Sequence, residues 1–334
     1  MKQMPRVGIA VFLALVAAQA CGRGPASGSQ PANKKLVIAV IPKGTTHEFW
    51  KSVHAGAIKA SQELDVEVLW QGPLREDDRE EQIKVVDTIR ARQVSGIALA
   101  PLDDKALRMP VADAVRAGIP VVIFDSGLAS QDYVSLVETN NYKGGRIAGE
   151  HMASLLNGTG NVIVLRLHEG AASTTQREQG FLDVMAANPS IRVVSSNQYA
   201  GASTEGSYKA SENLLTATRA ATGGVNGIFC PNESTTFGML RALQDARLAG
   251  KIRFVGFDTS DKMVRALRDG ELDALVLQNP FNMGYLAVKT LVQHIHGEPV
   301  EKHIDTGATL VTKANMDQPD IRERLQPKLE QLLR

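Results

Sequence analysis

Short apolar runs alternate with amphipathic stretches from Leu36 almost to the last residue, and the cycle starts afresh near residue 140. Leu36–Ile41, Val66–Trp70, Gly96–Ala100, Pro120–Phe124 and the shorter Val134–Val137 read as strands. Leu36–Ile41 is a near-continuous β-branched and aliphatic run, the pattern of a strand buried on both faces. Phe49–Glu63, Glu80–Arg92 and Leu107–Ala117 read as helices between them, the last closed by Gly118 and Pro120. The second cycle places helices at Lys143–Leu156, Thr175–Ala187, Thr204–Thr216, Thr235–Ala246, Lys262–Asp269 and Phe281–His296. Its strands are Asn161–Leu165, Arg192–Gln198, Gly227–Cys230, Arg253–Phe257 and Ala274–Leu277, and Ile321–Leu333 reads as a final helix. Repeated strand–helix–strand units put helices on both faces of parallel sheets. The strands are too many for one small sheet, so the fold class is α/β, with two similar doubly wound parallel-sheet lobes.

The start of the chain reads as an export signal. Lys2 and Arg6 precede the apolar run Val7–Ala18, which is too short to span a bilayer. Ala18-Gln19-Ala20 supplies small residues around a cut, and Cys21 follows it. Two readings result: lipoprotein processing with lipid attached to Cys21, which we prefer, or ordinary cleavage that leaves the thiol unmodified. Residues 1–20 are thus a signal peptide, and residues 21–34, rich in Gly, Ser, Pro and Ala, a flexible tether. The expected location is the periplasm or cell surface, as a membrane-anchored lipoprotein. The other cysteine, Cys230, follows Ile228 and Phe229 in an apolar run and is expected to be a buried free thiol. Lys and Arg number 37 against 36 Asp and Glu. No basic patch dominates, which argues against nucleic acid as a partner.

In doubly wound sheets, ligands sit beyond the carboxyl ends of the strands. The loops there hold Phe49 and Trp50 within Thr45-Thr46-His47-Glu48-Phe49-Trp50, Asp125 after the fourth strand, Arg177 at a helix start, and Asn232, Asp258 and Gln278 after three later strands. Carboxylate, amide and guanidinium together satisfy hydroxyls that both donate and accept. An aromatic face covers the apolar face of a sugar ring. The plainer readings are core packing for Phe49 or Trp50, turn or cap roles for Asp125, Asn232 and Asp258, a hinge role for Gln278, and a surface pair of Arg177 with Glu178 or Glu205. No catalytic residue is identified: a phosphate loop, a dinucleotide-binding glycine motif and a nucleophile elbow are all missing from the expected places. No cofactor is implied. His294 and His296 diverge on their helix, so no metal site is expected. Gly144-Gly145 at a helix start reads as close packing in preference to an anion site.

Several of these segments resemble the ribose-binding protein family of type I periplasmic binding proteins, from about Lys35 to about Lys313. The segments are Phe49-Trp50; Gly118-Ile119-Pro120-Val121-Val122 leading to Asp125; Asn140-Asn141-Tyr142-Lys143-Gly144-Gly145-Arg146; Arg177-Glu178-Gln179-Gly180-Phe181; Asn232; Val255-Gly256-Phe257-Asp258; and Gln278-Asn279-Pro280. The resemblance implies sugar contacts for Phe49, Trp50, Asp125, Arg177, Asn232, Asp258 and Gln278. His47 stands where that family often has Asn, and Ser126 where it often has Arg. Ile41-Pro42-Lys43, Gln71-Gly72-Pro73 and Asp125-Ser126 resemble the autoinducer-2 receptor branch of the same fold, which implies ligand contacts for Lys43 and Asp125. That branch lacks the arginine matching Arg177 and ranks second. A binding protein of this family is no enzyme. Its implied partners are a small sugar or polyol and an ABC permease, and its default state is a monomer. The resemblance also implies three chain crossings, near Glu138–Asn141, Gln278–Pro280 and Thr306–Leu310. The expected lobes are then residues 35–138 with 279–305, and residues 139–278 with 306–334, closing on a hinge.

Overall fold

The computed structural model describes residues 35–327 and 329–333. The stretches read as signal peptide and tether, with Cys21, lie outside the described residues.

Two six-stranded sheets organise the chain. The first contains β1 (Val37–Ile41), β2 (Glu67–Trp70), β3 (Gly96–Leu99), β4 (Val121–Phe124), β5 (Ser135–Glu138) and β11 (His303–Asp305), in the order β11-β5-β4-β3-β1-β2 and all parallel. The second contains β6 (Gly160–Arg166), β7 (Ile191–Tyr199), β8 (Gly227–Phe229), β9 (Arg253–Phe257), β10 (Ala274–Leu277) and β12 (Thr309–Thr312), in the order β12-β10-β9-β8-β6-β7. Only β12 runs antiparallel among its described pairings. Each lobe therefore reverses its strand order between its first and third strands. The chain passes between sheets after β5, after β10 and after β11, so three segments join the lobes.

Each sheet is apolar on both faces. In β1, Ile38 and Val40 face one core, with Trp50, Val53 and Leu291, while Ala39 and Ile41 face another, with Val85, Ile89 and Val111. The continuous apolar run thus resolves into two buried faces of period two. Helices α1 (Glu48–Leu64) and α9 (Pro280–Ile295) cover the first face, and α2 (Arg79–Ala91) and α3 (Arg108–Arg116) the second. In the second lobe, α4 (Asn141–Leu155) and α5 (Ala172–Ala186) cover one face; α6 (Thr204–Ala217), α7 (Glu233–Asp245) and α8 (Asp261–Asp269) cover the other.

The pairs α1–α9 and α4–α5 occupy equivalent places and touch through glycine. A Cβ on Gly56 would overlap the Phe281 carbonyl, and one on Gly284 the Val53 carbonyl. In the other lobe a Cβ on Gly145 would overlap the Arg177 carbonyl, and one on Gly180 the Tyr142 carbonyl. Gly144-Gly145 is therefore a packing feature, and it sets where Arg177 sits. Cys230 is a buried free thiol.

Two differences from the sequence reading stand out. The last helix, α10 (Pro319–Leu325), stops short of Leu333 because Pro327 disfavours helix in the residue before it; a short 3-10 turn follows at Leu329–Gln331. Strands β11 and β12 escaped the sequence reading, being short, the first mostly exposed and the second mostly half-buried. No described helix is long and apolar enough to cross a membrane.

Candidate functional site

Ligand sites of doubly wound sheets form at the carboxyl ends of the strands where the order reverses. Here those ends from both lobes face each other. Between them lies a cavity of about 20 Å³ lined by Lys43, His47, Phe49, Trp50, Glu76, Asp125, Leu167, Ser173, Thr174, Arg177, Asn232, Glu233, Asp258 and Gln278. A groove of about 970 Å³ leads outward from it, sharing His47, Phe49, Glu233, Asp258 and Gln278. Nine of the ten residues singled out from sequence converge on the cavity. Ser126 does not line it; its buried hydroxyl accepts a hydrogen bond from the Ser173 backbone N–H at 3.1 Å.

The two site aspartates are structural equivalents. Each follows a phenylalanine at the end of its lobe's fourth strand, Phe124 before Asp125 and Phe257 before Asp258. Both take left-handed backbone, φ 62° and 65°. Aspartate tolerates that region better than most residues, though at a cost. Each N–H stays in the sheet, donating to Val137 at 2.9 Å or Val276 at 3.0 Å, while the carboxylate swings out of the strand end.

Three cations in the cavity each face a carboxylate. Lys43 Nζ lies 2.7 Å from Asp125 Oδ2, both side chains buried, and also donates to Ser173 Oγ in the other lobe at 3.0 Å. His47 Nδ1 lies 2.9 Å from Glu76 Oε1, which also accepts from the Trp50 indole. Arg177 Nη1 is 4.0 Å from Asp258 Oδ2. Arg177 Nε donates to Asn141 Oδ1 at 2.8 Å and Nη1 to the Pro231 carbonyl at 2.9 Å, with Phe257 stacked 4.1 Å from the guanidinium. Asp258 also accepts from Gln278 Nε2 at 2.7 Å and from the Glu233 N–H at 3.1 Å. The surface pair considered for Arg177 does not form: Glu178 takes Arg166 at 2.6 Å, and Glu205 faces Lys209 and Arg241.

Burial on its own disfavours charge on both His47 and Glu76. Their mutual attraction and hydrogen bond outweigh it, raising the His47 pKa and lowering that of Glu76, which Lys43 and Trp50 also stabilise. The sign of the linkage follows. The Glu76 contribution is present above its ordinary 4.5 and is lost as pH falls through its lowered value. The His47 contribution is present below its ordinary 6.5 and is lost as pH rises through its raised value. Melting temperature should therefore hold the pair's full contribution between about pH 4.5 and 6.5 and decline on either side. His47→Gln should flatten the alkaline limb; an alkaline limb as steep as the parent's would show that the pair contributes nothing. Burial also lifts Glu138, between the lobes, to about 7, with Asp125 adding to it, and lifts Glu233 to about 7 despite opposition from His47.

Glu76, Leu167, Ser173, Thr174 and Glu233 were not anticipated. Glu76 lies in the loop after β2, three residues beyond the Gln71-Gly72-Pro73 stretch that carries the autoinducer-2 resemblance. A usable signal existed: a buried Trp50 indole needs an acceptor. Asn232 serves the helix as well as the cavity. Its Oδ1 accepts from the Thr235 hydroxyl at 2.7 Å and from the Thr235 N–H at 3.3 Å in a capping box, and its Nδ2 donates to Ser234 Oγ at 3.1 Å. Gln278 Oε1 is buried with no described partner.

Two parallel-sheet lobes joined by three segments, with a polar and aromatic cavity where their strand ends meet, define a ligand-binding class of protein. Residues 38–299 match the family model described as periplasmic binding protein domain, and the chain belongs to that family, in its two-lobed, ribose-binding-like type I form. The family comprises substrate-binding proteins of transporters and not enzymes. The ribose import binding protein of Haemophilus influenzae is 28% identical over 285 residues, covering 85% of this chain and 94% of its own. A carbohydrate transporter solute-binding protein of Agrobacterium radiobacter, solved in complex with D-arabinose, is 34% identical, with TM-score 0.84 over 88% of this chain and 100% of its own. An ABC transporter solute-binding protein of Agrobacterium vitis, solved with bound D-fucose, is 34% identical, with TM-score 0.83 over 87% and 100%.

Proposed function

We propose that the chain captures a sugar or closely related polyol between its lobes and delivers it to an ABC permease outside the cytoplasm. One observation carries the ligand class: the cavity's three cations, Lys43, His47 and Arg177, each face a carboxylate within the same cavity, and its fourth carboxylate, Glu233, is held by the Glu48 and Phe49 N–H groups. Such a site is already compensated and suits an uncharged ligand with many hydroxyls. Charged partners strengthen each hydroxyl bond, to about 1.5–3 kcal/mol. Gln278 Oε1 adds an acceptor for a further hydroxyl. The comparisons support the sugar reading over the autoinducer-2 reading.

The space of about 20 Å³ holds little more than a water molecule. Capture of a sugar ring therefore calls for the lobes to part and close again, by hinge bending at the three crossings. Ligand held by both lobes stabilises the closed form, which is the form the permease would engage. We assign the lobes to residues 35–138 with 279–305, and 139–278 with 306–334, acting as a monomer. Lipid on Cys21, placed after Ala18-Gln19-Ala20, would anchor the tether of residues 21–34; the mass of the mature chain tests this.

A thermal-shift panel containing D-ribose, D-arabinose, D-fucose, other sugars, polyols and autoinducer-2 tests the function. A ligand at 100 times its dissociation constant adds about 2.7 kcal/mol, a shift of several degrees. Sugar hits are expected. Silence from every sugar, or a hit with autoinducer-2 alone, would overturn the sugar reading.

A further inference from the structure

Helix α1 begins without a cap of its own. His47 holds the N-cap position but makes no capping hydrogen bond, because its ring is turned to Glu76. The first N–H groups of a helix point out of its end and need an outside acceptor. Here the acceptor comes from the other lobe. Glu48 N–H donates to Glu233 Oε1 at 3.3 Å and Phe49 N–H to Glu233 Oε2 at 3.1 Å, across 185 and 184 residues of chain. Glu233 is the first residue of α7. Its own N–H donates to Asp258 at 3.1 Å, which ties its backbone to the carboxylate facing Arg177.

We infer that Glu233 is an interlobe latch: a carboxylate of the second lobe that caps the aromatic-bearing helix of the first when the lobes meet, and so sets how long a captured sugar is held. The inference rests on the hinge-closure reading above. Above its raised pKa of about 7 Glu233 is a carboxylate, which a helix N-terminus favours through the helix dipole, and its bonds to the backbone N–H groups are then charge-assisted. With the lobes apart, both partners turn to water. The bonds therefore weight the closed form alone, which is the differential interaction a conformational change requires. Direct contacts between lobes elsewhere, Lys43 to Ser173 and the Asp104 N–H to the Gly170 carbonyl at 3.0 Å, show that the closed form is held by the protein's own groups at more than one place. A latch of modest strength suits a carrier: one too strong would hold the lobes shut before ligand enters.

Glu233→Gln keeps the shape and replaces one accepting oxygen with an NH2 that faces an N–H. The test compares it with the parent chain in two measurements. Stopped-flow tryptophan fluorescence at pH 8 gives release rates for D-ribose, D-arabinose and D-fucose, and amide hydrogen exchange with and without sugar follows Glu48 and Phe49. Release should quicken by about tenfold or more, by one common factor for every sugar that binds. The two amides should lose protection while the rest of α1 keeps it. Release rates and amide protection equal to the parent's would overturn the latch, as would a factor that differs from sugar to sugar, which marks an ordinary ligand contact. Solution scattering separates the underlying reading: a parent chain whose radius of gyration does not change with a bound sugar overturns hinge closure, and the latch with it. Were none of the three sugars to bind, the sugar reading would fall and amide protection alone would decide the latch.

Discussion

Arg177→Ala should weaken sugar binding about a hundredfold or more while the chain stays folded. The guanidinium is 2% exposed and lines the cavity. Its Nε and Nη1 are committed to Asn141 and Pro231. Among the described residues no acceptor takes the Nη2 hydrogens, which leaves that end of the fork for ligand. Removing the side chain deletes those charge-assisted bonds and leaves Asp258 in the cavity without its cation. Burial already raises the Asp258 pKa against the pull of Arg177 and Gln278. Without Arg177 it should rise further, so the aspartate becomes a poorer acceptor near neutral pH. Asp258 can take up a proton once its cation is gone, which limits the cost of the unpaired carboxylate, so melting should fall by only a few degrees. Arg177→Lys keeps the charge but loses the planar fork, and should recover only part of the affinity. Isothermal titration with the sugar chosen by the thermal panel checks both variants. Affinity equal to the parent's in Arg177→Ala would remove this residue from the site.

The second large effect concerns backbone approach. Gly145→Val should destabilise the chain by about 4 kcal/mol, roughly 10 °C in melting temperature, and should also impair binding. Alanine or valine in mid-helix usually gains helix propensity over glycine, by up to about 1 kcal/mol. Here the neighbour is the Arg177 carbonyl, backbone that cannot swing aside as a side chain tip can. Helices α4 and α5 must separate, which opens the core of Phe181, Val184 and Val164 and moves Arg177. Gly284→Val, at the equivalent contact of α9 with the Val53 carbonyl, should destabilise comparably without displacing Arg177. Differential scanning calorimetry and titration together separate the two. Melting within two or three degrees of the parent would mean that the helix pairs tolerate the extra bulk.

The candidate site was largely legible because the doubly wound rule converts sequence position into place. Once Leu36–Ile41 and its successors are strands, the residues just after them must gather at one edge of each sheet. Asp125, Asn232, Asp258 and Gln278 were found this way, and Phe49, Trp50 and Arg177 lie in the first turns that follow. Ser126 failed as a lining residue although its neighbour Asp125 succeeded. The left-handed backbone at Asp125 turns successive side chains apart, and no local pattern announces that conformation for a non-glycine residue. The final helix was overextended because Ile321–Leu333 keeps an apolar rhythm across Pro327, and the restriction on the residue before proline won.

The amino-acid sequence by itself determined the two-lobed parallel architecture, the restart near residue 140, the near-neutral charge that disfavours nucleic acid, and most of the residues that meet at the strand ends. These depend on period and on neighbours a few residues apart, which local chemistry governs. Only the tertiary structure decided which charge faces which: Lys43 with Asp125, His47 with Glu76, and Glu233 on the first N–H groups of α1, partners 82, 29 and about 185 residues apart. Those pairings follow from the strand order that brings the loops after β1, β2 and β4 to one edge, and from how the two lobes come together, and contacts at such separations leave no trace in a local pattern.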